Sequence, residues 1–187
     1  MRLRAREALV VVACVFCTFA RGAERLDMYD HSLLEFPRGA GEADDTARIQ
    51  RAFDATGGGV LYLPCGDYSV SSTLVISNRC SLKMHKSAKI KAVAPMDFVL
   101  RVRNSCGKIW DNLDFLNFIE GGVIDGNGMA SCLAMDEYWR HNLDNIKIFN
   151  GKPYGLYVSS GGAELVANGL YFICRLHGLA GNTAMCL

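Results

Sequence analysis

Residues recur at a fixed distance along the second half of this chain. Ile124, Ile148 and Phe172 are evenly spaced with a step of 24, and Gly122, Ile146 and Leu170 keep the same step two places earlier. A second series steps by 23, from CLAM at 132–135 to GLYV at 155–158, then to GLAG at 178–181, with AMCL at 184–187 an equal match for the last place. A unit this short cannot bury a core alone. A strand-built period of roughly 20 to 30 residues is satisfied by a coil of chain in which each turn stacks on the one before. Each strand then pairs in parallel with its counterpart one period later. Strand side chains alternate, so Ile146 and Ile148 share the inward face while Lys147 points away. An antiparallel sandwich with coincidental spacing is the alternative, and two series agreeing near 23–24 argue for the coil.

The first half fits the same plan. VLYLP, YSV, TLVI, SLKM and KIKAV follow one another as short strands over 60–93, separated by turn signals. One segment reads as helix, DDTARIQRAFDATGGG. Asp44 or Asp45 can cap its N-terminus by accepting backbone N–H bonds, and the acidic pair suits the positive end of the dipole. Ile49, Ala52 and Phe53 fall on one face, and Gly57 to Gly59 stop the helix. A helix of about three turns over 44–55 with one apolar face needs a flat partner to cover.

Residues 1–20 read as a secretory signal peptide rather than as part of the fold. MRLRARE is a basic start, ALVVVACVFCTFA is an apolar run of thirteen, and small residues permit cleavage after Ala20 or Gly22. The run is too short to span a bilayer. The expectation is a secreted or cell-envelope protein with no transmembrane segment in the mature chain. Residues 21–35 then form a linker or entry segment, and 36–187 one domain.

Six cysteines remain after the signal: Cys65, Cys80, Cys106, Cys132, Cys174 and Cys186. Export permits disulfides, but the pairing is left open, and each thiol equally suits apolar packing. No Cys/His spacing matches a zinc site. Without residues 1–20, which take Arg2, Arg4, Arg6 and Glu7, the formal charge falls from +1 to −1. Acids and bases are interspersed along the chain, so nothing points to nucleic acid or an anionic membrane.

Two stretches carry a family resemblance. FPRGAGEADDTARIQRAFDATGGGVLYLPCGDYSV, residues 36–70, resembles the N-terminal part of pectate-lyase-superfamily domains of the rhamnogalacturonase and epimerase-like type. A Gly-Ala loop, an Asp-Asp-Thr helix start, a glycine run, a strand ending in Leu-Pro and a Gly-x-Tyr turn come in that order. GGVIDGNG, residues 121–128, is similar to a segment of family 28 polygalacturonases. The resemblance implies an all-β, right-handed parallel β-helix (a solenoid) whose N-terminal end is plugged by the 44–55 helix. It also implies an exported carbohydrate-active protein acting on a pectin- or rhamnogalacturonan-type polysaccharide as hydrolase, lyase or epimerase. Such β-helices usually run longer, so these residues read as an incomplete N-terminal portion. The alternative is a noncatalytic glycan-binding or structural module.

Polysaccharide hydrolysis needs two carboxyl groups, and lyase or epimerase chemistry needs a base and a cation. No cofactor is read from the residues; the resemblance alone admits Ca²⁺ as that cation. In family 28 an Asn-Thr-Asp motif follows the Ile-Asp-Gly segment. Here Asn182 and Thr183 lead to Ala184, which cannot transfer a proton. The densest group of acids, bases and rings is DEYWRHN. Asp136 and Glu137 are the candidate catalytic carboxylates, with Tyr138, Trp139, Arg140, His141 and His177 as candidate groups for binding a polysaccharide. A solvated loop is the competing reading. GGVIDGNG reads as a scaffold turn, with Asp125 tying the bend to nearby N–H groups.

Overall fold

The computed structural model describes residues 28–77, 79–103, 117–136, 139–159 and 163–173, and within them every side chain except those of 139–140, 163–164 and 173. The chain opens with strand β1 (His31–Ser32) and a 3-10 turn (Leu33–Glu35) inside the entry segment, then forms helix α1 (Thr46–Thr56). Four coils of three strands follow: β2 (Val60–Leu63), β3 (Gly66–Val70) and β4 (Leu74–Ile76); β5 (Ser81–Met84), β6 (Ala88–Ala92) and β7 (Phe98–Arg103); β8 (Asn117–Glu120), β9 (Val123–Asp125) and β10 (Ser131–Asp136); β11 (Trp139–Asp144), β12 (Lys147–Phe149) and β13 (Leu156–Val158). Strands β14 (Ala163–Asn168) and β15 (Tyr171–Ile173) start the next coil.

Every strand pairs in parallel with the equivalent strand one coil away. The result is three sheets around one core: six strands in the order β1-β2-β5-β8-β11-β14, five in the order β15-β12-β9-β6-β3, and four in the order β13-β10-β7-β4. This is a right-handed parallel β-helix, as the resemblance implied. Both repeat series hold at the level of register. Ile124, Ile148 and Phe172 are direct partners along the five-stranded sheet, and Leu133 and Met135 pair with Leu156 and Val158 along the four-stranded one.

The core is built of columns. Tyr68, Ile90, Ile124 and Ile148 stack in the five-stranded sheet, Leu61, Leu82, Ile119 and Leu143 in the six-stranded one, and Leu74, Leu100, Leu133 and Leu156 in the four-stranded one, all buried. Each fully buried aliphatic side chain contributes about 1.5–3 kcal/mol of transfer free energy. Ile146 and Ile148 are fully buried and Lys147 is exposed, as strand alternation requires.

Helix α1 covers the first coil with Ile49, Ala52 and Phe53. It also satisfies the backbone edges that a first coil leaves unpaired. Gln50 mimics a strand against β4: its Nε2 donates to the Val75 carbonyl at 2.9 Å, and its Oε1 accepts from the Val75 N–H at 2.9 Å. Asp45 does the same for β3, its N–H donating to the Ser69 carbonyl at 2.8 Å and its carboxylate accepting from the Ser69 N–H at 3.2 Å. Strand β1 supplies the edge partner of β2.

The acidic pair divides its duties in a way the sequence reading did not separate. Asp44 Oδ1 accepts from the Thr46 N–H at 2.8 Å. Asp45 occupies the N-cap position but accepts no capping bond from the helix backbone, because its carboxylate is turned to the Ser69 N–H and to the side chains of Arg38 (2.8 Å) and Arg48 (3.5 Å).

The corner from the six-stranded to the five-stranded sheet uses left-handed backbone in successive coils: Gly121 and Gly122, then Asn145, then Gly169. At Gly121, φ is +76°, and a Cβ would sit 2.4 Å from the Met84 carbonyl oxygen, so glycine is required there. Among the described residues no helix is long and apolar enough to cross a membrane.

Candidate functional site

The alternation that fills the core also decides what faces outward. In FVLRVR, Leu100 and Val102 turn in, so Arg101 and Arg103 turn out; in SCLAMD, Leu133 and Met135 turn in, so Ala134 and Asp136 turn out. Register then sets Val75, Arg101, Ala134 and Tyr157 in one outward row of the four-stranded sheet, with Arg103 beside Asp136 in the next. Ala134 has no bulk to present. The neighbouring side chains cover it completely.

Arg101 Nε donates to Asp136 Oδ2 at 2.5 Å, with both side chains partly buried. The guanidinium also lies over the Phe98 ring, 5.2 Å from its centroid. Phe98 is 5.8 Å from the ring of Tyr157, and Tyr157 is 5.5 Å from the ring of Tyr154. Tyr154, Tyr157, Phe98, Arg101 and Asp136 therefore form one connected band across three coils, a span of about 10 Å at the rung spacing of parallel strands. The carboxylate and the ring hold the guanidinium plane in one orientation. Of the several N–H donors on that guanidinium, Asp136 takes Nε. Phe98 is itself buried, so it is the half-buried rings of Tyr154 and Tyr157 that can stack against the apolar face of a sugar ring, while the polar end of the band hydrogen-bonds hydroxyl or carboxylate groups.

Of the residues singled out in DEYWRHN, Asp136 lies in this band. Glu137, Tyr138 and His177 fall outside the described residues, as do Asn182 to Ala184. Trp139 and Arg140 begin β11, and the description covers their backbone only. His141 turns into the coil and is 3% exposed, beside Asn117, Ile76, Arg79, Val102 and Arg103. Asp136 at the end of β10 thus faces outward, and His141 on β11 faces inward.

Arg101, Phe98, Tyr154 and Tyr157 were not singled out by sequence reasoning. The 23-residue step does place Tyr157 beside Ala134. Nothing comparable places Arg101, whose partner Ala134 follows after a longer step.

Asp125 belongs to the scaffold. It is 8% exposed, and its Oδ1 accepts from the Asn127 N–H at 2.8 Å and from Asn150 Nδ2 at 3.1 Å. Asn127 in turn donates through Nδ2 to the Ala92 carbonyl at 3.0 Å. Among the described residues Cys65 and Cys80 are free thiols, and no three His, Cys, Asp or Glu side chains converge to hold a metal ion.

No protein-family model and no curated protein sequence matches this chain. Solved structures do. PfbA, a surface adhesin of Streptococcus pneumoniae, is similar over 78% of this chain and 39% of its own, with a TM-score of 0.56 and 20% identity. The Azotobacter vinelandii mannuronan C-5 epimerase AlgE4 A-module is similar over 81% of this chain and 50% of its own, with a TM-score of 0.49 and 21% identity. This chain therefore spans half or less of the length of each. At such identity the likeness to the adhesin speaks to fold alone, and that fold is the right-handed parallel β-helix implied by residues 36–70 and 121–128.

Proposed function

We propose that this chain belongs to an exported carbohydrate-active β-helix protein, and that the outward face of its four-stranded sheet binds a glycan. The observation that carries this reading is the continuous band of Tyr154, Tyr157, Phe98, Arg101 and Asp136. Rings and a fixed guanidinium–carboxylate pair recognise sugars by stacking and by directional hydrogen bonds. The resemblance of residues 36–70 to rhamnogalacturonase and epimerase-like domains supports a pectin-type polysaccharide. The apolar run of residues 1–20 supports export.

Within this reading Asp136 orients ligand in preference to moving a proton. Its carboxylate is engaged by Arg101 Nε and so serves to fix the guanidinium that faces the ligand. Catalysis by Asp136 with Glu137 is the second reading, favoured by the position of Asp136 on an outward row. Calorimetric titration of the full chain with pectin-derived oligosaccharides tests the first. Tyr157→Ala is expected to weaken affinity about tenfold. Unchanged affinity in both Tyr157→Ala and Arg101→Ala would remove the band as the site. Release of new reducing ends or unsaturated uronates, lost in Asp136→Asn, would establish the second reading instead.

A further inference from the structure

The five-stranded sheet has an outward face of its own, on a different side of the coil from the aromatic band. Its inward positions are Tyr68, Ile90, Ile124 and Ile148, so the residues between them point out. One outward row reads Asp67, Lys89, Val123, Lys147, Tyr171 across five consecutive strands. The next row reads Ser69, Lys91, Asp125, Phe149. Exposed Lys86 and Lys152 stand in the turns that lead into β6 and out of β12.

The acids offset this charge only in part. Asp125 is buried and committed to Asn127 and Asn150. Asp67 lies 3.7 Å from Lys89, a contact between two well-exposed groups that water and salt screen strongly. Among the described residues no carboxylate pairs with Lys91 or Lys147. The chain is almost neutral overall, so folding has segregated the cations. Lys147 lies far along the sequence from Lys89 yet only two rungs away, roughly 10 Å, while Lys89 and Lys91 are about 7 Å apart along one strand.

We infer that this lysine face is a second binding surface, for an acidic polysaccharide. Lysines are flexible point charges, suited to a polymer with regularly repeated carboxylates rather than to one planar, bidentate group. The same row ends on Tyr171, 59% exposed, which offers a ring for stacking on sugar. Cations followed by a ring along a straight, rigid row match an extended charged glycan better than a lipid surface, which has no ring to stack on. The surface stands apart from the aromatic band, so either can fail without the other.

The test uses the full chain and three probes: polygalacturonate oligomers, the same oligomers fully methyl-esterified, and a single-stranded oligonucleotide of equal charge. The wild type is expected to bind polygalacturonate, with affinity falling as salt rises. The combined Lys89→Glu, Lys91→Glu, Lys147→Glu variant is expected to lose about tenfold or more, and the ester to bind at least about tenfold more weakly than the acid. Tyr171→Ala should weaken binding with less change in salt dependence. Because the charge reversals point to solvent, the variant should keep the wild-type circular dichroism; Lys→Gln at the same positions serves if it does not. Equal binding by wild type and variant, equal binding of acid and ester, no binding by the wild type, or tighter binding of the oligonucleotide would each overturn the inference.

Discussion

Asp125 and Asn150 sit one coil apart and are joined by a hydrogen bond from Asn150 Nδ2 to Asp125 Oδ1, 3.1 Å long. The same oxygen accepts from the Asn127 N–H, so one carboxylate fixes the turn of its own coil and the next. Asp125→Ala removes both bonds at a buried position and should cost about 1–3 kcal/mol, read from denaturant unfolding. Glycan affinity measured well below the melting temperature should not change. A loss of affinity with intact folding would return Asp125 to the list of site residues.

Two glycines in the same turn should behave differently. A Cβ on Gly126 would lie 2.2 Å from the Ala130 carbonyl oxygen and 2.8 Å from that of Asn150, whereas one on Gly128 meets nothing within 4 Å. Gly126→Ala should cost about 3 kcal/mol through a clash between backbones. Gly128→Ala should cost only the strain of its left-handed backbone, about 1–2 kcal/mol. Equal unfolding midpoints for the two variants would contradict this account of the turn.

The Arg101–Asp136 pair makes a separable prediction. Both side chains are partly exposed, so a double-mutant cycle on thermal stability should give a coupling of about 1 kcal/mol or less. Arg101→Lys keeps the charge but loses the planar fork over Phe98, and should lower glycan affinity more than it lowers stability.

Asp44 should contribute a pH-dependent share of stability. Burial pushes its carboxyl up, but hydrogen bonds from the Ser71 and Thr46 hydroxyls and the Thr46 N–H, with Arg38 nearby, outweigh that and hold it below the ordinary value of 3.8. A depressed folded value means the contribution is fully present above the unfolded value and is lost as pH falls through the folded one. Asp44→Asn should therefore melt below wild type at pH 7, with the gap closing below about pH 4. A gap that persists unchanged at low pH would assign the effect to packing.

Thiol labelling should rank the described cysteines. Cys65 is exposed, while Cys80 and Cys132 are buried and burial pushes the Cys80 thiol up to about 12. At pH 8, labelling followed by peptide mapping should find Cys65 modified in the native chain, and Cys80 modified only on unfolding.

What was legible in the sequence is what repeats locally. The columns through Ile124 and Ile148, and through Leu133 and Leu156, follow from strand alternation plus a constant step, and the 44–55 segment declared its apolar face. The aromatic band was harder to see. Tyr157 follows the 23-residue step, but Arg101 reaches Ala134 across a longer interval, so a search at fixed period misses it. The lysine face was invisible for a similar reason: Lys89, Lys91 and Lys147 are diluted by inward residues and by whole coils that the fold then removes from between them. His141 shows the opposite failure. It is a sequence neighbour of Asp136, but a change of facing separates them.

The stacked columns carry a further consequence, for how such a chain can change. Register depends on each strand meeting its neighbour one coil away, and not on the length of the corner between them. The step between the partners Arg101 and Ala134 is longer than that between Ala134 and Tyr157, yet all three share one row. The scaffold thus separates inheritance of shape from inheritance of surface. Corners can lengthen and outward letters can be rewritten while the inward letters keep the alignment, so new specificities can be added to an old frame without refolding it.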